Sequence, residues 1–89
     1  MDLHLPDITI QEKWTIPGQV KKIGEEYSEV AEAVALADPI NAIREALDTA
    51  QTCCTLINMI IAEYDGRINF ERLKREHIEK LRKKGYLCE

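Results

Sequence analysis

The sequence predicts an all-α protein: an antiparallel helical hairpin plus a C-terminal helix, forming a four-helix-type bundle on oligomerisation. Three observations point there. Apolar residues recur at alternating spacings of three and four through two long segments, the period of an amphipathic helix. Pro17, Pro39, Gly66 and Gly85 stand where that rhythm starts or stops. Finally, 89 residues make one modest domain whose isolated stability is marginal, and with no disulfide framework the usual remedy is a second copy.

Residues 1–16 read as an arm, because Pro6 and Pro17 bracket too little chain for a sheet; residues 17–89 form the single helical domain. Pro17 suits the first turn of a helix, where its missing N–H costs nothing. That helix carries Val20, Ile23, Tyr27, Val30, Val34 and Ala37 in one stripe. Asp38-Pro39 ends it and starts the next, with Asp38 as the cap and Pro39 at the first position. The second helix keeps the rhythm through Ile40, Ile43, Leu47, Ala50, Cys54, Ile57, Ile61 and Tyr64. Beyond Cys53 its other sides are apolar too (Leu56, Met59, Ile60), so a partner subunit is expected there, with Asn58 pairing across the interface. Asp65-Gly66 is the stop. A third helix begins at Asn69, aligns Phe70, Leu73, His77 and Leu81, and ends near Gly85; His77 reads as a packed histidine.

The net charge of −4 argues against a nucleic-acid polymer as partner, since a phosphate backbone needs a basic face. The charge is also uneven. Acids dominate from Glu25 to Asp48, where Arg44 is the one base, and bases dominate from Arg67 to Lys84. Three cysteines without a CxxC spacing point to a reducing compartment, with Cys53 and Cys54 as packing residues. The N-terminus lacks the basic and apolar regions of a signal peptide, and the apolar-rich run from Cys53 to Ala62 is too short for a bilayer. A cytoplasmic protein is expected, without a membrane partner.

Two acidic clusters carry the chemistry. The first helix has Glu25-Glu26-Tyr27-Ser28-Glu29 and the second Glu45-Ala46-Leu47-Asp48. Residues three apart share a helix face, so Glu26 with Glu29 and Glu45 with Asp48 form two close pairs. Crossing the helices brings four carboxylates together, and they would take up protons unless a cation sat between them. Hard oxygen ligands at this density suit Mg²⁺, with Mn²⁺ as the alternative. At about 100° per residue, Glu26 and Glu29 flank the stripe of the first helix while Glu25 and Glu32 point away. Glu45 and Asp48 lie well off the stripe of the second helix, and become interior only if that helix is packed on two sides.

EExxE followed after fifteen residues by ExxD, across a proline-marked hairpin, resembles the MazG-like nucleoside triphosphate pyrophosphohydrolases. Gln19-x-x-x-Ile23-x-Glu25-Glu26 is similar to the entry of small family members, and His77-x-x-Lys80-Leu81-x-Lys83-Lys84-Gly85-Tyr86 to the end of short, phage-type ones. The resemblance covers about residues 15–87. It implies cleavage of a nucleoside triphosphate to the monophosphate and pyrophosphate, by a dimer or tetramer. Carried over by position, Glu26, Glu29, Glu45 and Asp48 would be the metal ligands, and Glu25 would orient or deprotonate the attacking water.

Around that set, Lys74, Arg75, Lys80 and Arg82 are candidates for the phosphates and Trp14 for stacking on the base, against the plainer readings of a solvated basic helix and an anchor for the arm. Three rivals remain: a phosphoribosyl-ATP pyrophosphohydrolase with a related carboxylate site, a non-catalytic helical interaction module, and a degenerate family member that binds nucleotides without turning them over. No Gly-rich phosphate loop, zinc motif or di-iron ExxH half is present.

Overall fold

The computed structural model describes residues 3–87, among which three helices and no strand are found. Helix α1 spans Ile16–Ala35, α2 spans Pro39–Glu63 and α3 spans Phe70–Lys83. Each start is capped by a side chain that accepts a backbone N–H left over in the first turn. Thr15 takes Gly18 N–H, Asp38 takes Asn41 N–H and Asn69 takes Arg72 N–H, each at 3.1 Å. The ends are local too. At Gly85 (φ 72°), the N–H groups of Gly85 and Tyr86 return to the carbonyls of Arg82 and Leu81. Helix α1 ends by the same pattern, but with Ala37 in the left-handed position at φ 55°. Ala37 therefore belongs to the turn and not to the expected stripe.

The packing differs more deeply from the expectation. Helices α1 and α2 lie against each other along the hairpin, but of the expected apolar stripes only Ile23 and Val30 of α1 are on the inward sides. From α1 the inward side is Gln19, Ile23, Glu26, Val30 and Ala33; from α2 it is Glu45, Thr52, Thr55 and Met59. The threonines fit because their hydroxyls donate back into their own helix, Thr52 to the Asp48 carbonyl and Thr55 to the Gln51 carbonyl. Gln19 then ties the helices together, its amide donating to the Thr52 carbonyl at 3.1 Å in a buried position. Thr52 lies about 180° round the helix from Ile43 and Ile61, so the α2 stripe faces outward. Ile43 is 63% exposed, and Leu47 and Ile57 are each 40% exposed.

The arm runs beside α2. Gln51 donates to the Pro6 carbonyl at 2.7 Å, and Asn58 donates to the Asp7 carboxylate at 2.9 Å. Asn58 thus finds its partner within the chain rather than across a subunit interface. Helix α3 has no comparable packing on either helix, and His77 on it is exposed instead of packed. Its ion pairs, Lys74 with Glu71 and Arg82 with Glu79 among them, are exposed and internal to the helix.

The result is an open molecule. Its radius of gyration is 15.3 Å, against about 12 Å for a compact chain of this length. Its accessible surface is 7322 Å², roughly 2000 Å² more than the size rule for folded monomers gives. No described helix is long and apolar enough to cross a membrane.

Candidate carboxylate site

The polar packing of the hairpin is what assembles the acids. Glu26 and Glu45 face each other because each lies on the inward side of its helix, and Glu29 reaches in from one turn further along α1. One oxygen from each of Glu26, Glu29 and Glu45 lies within 4.8 Å of the others. Asp48 is outside that triad but close enough for its charge to act on both Glu26 and Glu45. Glu25 is exposed and not part of the cluster.

The electrostatics follow from burial and like charge. Burial lifts the Glu26 carboxyl above its ordinary value of 4.5, and the charges of Glu29 and Asp48 lift it further. Glu45 is raised first by a hydrogen bond with Glu29, then by burial and by the neighbouring acids. Oε2 of Glu26 and Oε2 of Glu45 are both buried and accept no hydrogen bond from protein. A carboxylate oxygen in that condition is costly unless a proton or a cation meets it.

This sets a pH dependence for the metal-free protein. A carboxyl whose folded pKa is raised binds its proton more tightly in the folded chain than in the unfolded one. Its contribution therefore favours folding below 4.5 and is lost as pH climbs through the raised folded values. The Glu26→Gln, Glu45→Gln double variant lacks both titrations. Its stability advantage over wild type, measured by urea unfolding in EDTA, should widen as pH rises through that window. A pH-independent difference would refute the coupling.

A cleft of about 150 Å³ opens beside the cluster. Glu26, Asp48, Trp14, Lys22, Gln19 and Thr52 are among the residues that line it. Trp14, half-buried, thus stands on the same cleft as the acids, as its candidate role requires. Lys74, Arg75 and Lys80 do not: all three are exposed on α3 and line no part of it. Sequence reasoning missed Lys22. Its signal was present, since Lys22 lies one turn before Glu26 on the same side of α1.

Comparison of the chain with family models, curated proteins and solved structures gives no match.

Proposed function

We propose that the chain is a Mg²⁺- or Mn²⁺-dependent nucleoside triphosphate pyrophosphohydrolase, converting a (d)NTP to the monophosphate and pyrophosphate as a homo-oligomer. The observation that carries this reading is the convergence of Glu26, Glu29 and Glu45 from two helices, with two buried oxygens that have no protein partner. Such a donor set fits a hard divalent ion. When bound, the ion would neutralise the phosphates and make water a better nucleophile. The chain's own residues do the rest. Glu26, Glu29 and Glu45 would hold the ion from the hairpin, and Asp48, which lines the adjoining cleft with Glu26, would add its carboxylate. Trp14 offers a flat face for the base. Glu25 acts as the base only where the attacking water stands on the outer side of α1.

Assembly belongs to the same proposal. Val20, Tyr27 and Val34 on α1, and Ile43, Leu47 and Ile57 on α2, leave apolar stripes 40–68% exposed. Surface in excess by roughly 2000 Å² is of the order that obligate interfaces bury. A second hairpin laid against the α2 stripe completes a four-helix bundle.

The deciding experiment supplies every canonical and oxidised (d)NTP, and phosphoribosyl-ATP, with Mg²⁺ and reads products. Pyrophosphate and monophosphate in equal amounts from at least one (d)NTP, abolished by EDTA, are expected. Turnover of phosphoribosyl-ATP alone would move the chain to the related enzyme. No product from any substrate, together with no Mn²⁺ binding, would leave a helical interaction module.

A further inference from the structure

Three carboxylates, Glu26, Glu29 and Glu45, converge at the site, yet its proposed substrate is a polyanion. A cation is needed at the mouth, and α3, which holds half of the chain's lysines and arginines, has no packing on the site's helices comparable to that of α1 on α2. Lys22 is in the right place. Its Nζ lies 6.0 Å from the centre of the Trp14 ring. It lines the 150 Å³ cleft together with Glu26 and Asp48, and also a 260 Å³ hollow that Trp14 shares. Among the described residues it forms no ion pair, whereas Lys74 is held by Glu71 at 3.0 Å.

We propose that Lys22 receives the phosphate chain of the nucleotide within one subunit, between a base stacked on Trp14 and the carboxylates Glu26, Glu29 and Glu45. This rests on the nucleotide reading above and adds the residue that binds the anion. Trp14, Lys22 and Glu26 all line this cleft, with the Lys22 ammonium 6.0 Å from the centre of the Trp14 ring and one helical turn before Glu26. A base stacked on Trp14 would therefore bring its phosphates to Lys22 and the carboxylates. An ammonium suits the middle position because it contacts phosphate as a point charge, without the fixed fork of a guanidinium. Its contact with the indole is weak at an exposed site and is readily exchanged for a charge-assisted bond to phosphate.

Trp14 is the only tryptophan, so its fluorescence reports directly on this cleft. The full chain is titrated with α,β-methylene analogues of the dNTPs in Mg²⁺, which bind without being cleaved. A saturable change in Trp14 emission is expected. Lys22→Ala should weaken the affinity about tenfold or more and flatten its salt dependence, and Lys22→Arg should restore most of it. Lys22→Ala should bind Mn²⁺ no more weakly than wild type, unlike a merely misfolded variant. Replacing Lys74, Arg75 and Lys80 together by Ala should cost less than Lys22→Ala alone. Equal affinity of wild type and Lys22→Ala, with the Trp14 signal intact, overturns the role of Lys22 and leaves the nucleotide reading standing. Binding seen by calorimetry without a Trp14 signal overturns the placement in this cleft. No binding of any analogue by wild type overturns the nucleotide reading itself.

Discussion

Glu45→Gln is expected to lower pyrophosphate release at least about 100-fold while leaving the metal-free protein no less stable than wild type. The rate estimate is set by the role proposed for it: losing even an outer partner of a metal site costs about 10–100-fold, and Glu45 would supply a ligand oxygen. The stability half follows from geometry. Glu45 shares its space with Glu29, Glu26 and Asp48, and each of these raises its pKa. Taking one charge out of that group relieves repulsion in the absence of a cation. Glu29→Gln and Asp48→Asn should behave alike in direction. Asp48 stands outside the triad, so Asp48→Asn should retain more metal affinity than Glu45→Gln. Circular dichroism and thermal melts in EDTA, beside Mn²⁺ titration and turnover, separate these effects. Near-wild-type turnover in Glu45→Gln and Glu29→Gln would sink the site assignment.

The second large effect concerns the outward stripe of α2. Leu47 and Ile57 are each 40% exposed in the single chain. In a monomer, Leu47→Arg or Ile57→Arg would change stability by about 0.5 kcal/mol or less, because surface substitutions are mild. In an assembled interface the same arginine is buried without a partner, at a cost of several kcal/mol. A chain of this size has only about 5–10 kcal/mol in all. Both variants are therefore expected to dissociate, to melt at a lower and protein-concentration-dependent temperature, and to lose activity. Sedimentation at micromolar concentration reads the mass directly. A monomeric, active wild type with unchanged melts in both variants would show that the stripe needs no cover.

Most of the local structure was legible in the sequence. Asp38 and Asn69 cap their helices, and Gly85 closes α3 in the left-handed conformation, because caps and stops depend on a few neighbouring residues. Three helices in the expected order followed from period and punctuation alone. The pairing of Glu26 with Glu29 was likewise readable, since the spacing of three places them on one face whatever the helix packs against.

Which face packs against which was not a local matter. Periodicity shows that a helix has an apolar side; it does not say what covers that side. Gln19, Thr52 and Thr55 lie inside the hairpin, the threonine hydroxyls satisfied within α2 and Gln19 by a bond to the Thr52 carbonyl that only the folded pair creates. That choice turns Ile43 and Leu47 outward and brings Glu45 inward. It also leaves α3, with Lys74, Arg75 and Lys80, away from the cleft, and puts Lys22 on it beside Trp14. The sequence by itself determined the helices, their ends and which residues could serve as ligands, because those depend on spacing along one backbone. The tertiary structure alone decided which carboxylates meet and which cation stands beside them, because distances between residues far apart in the chain exist only once the two helices have chosen their faces.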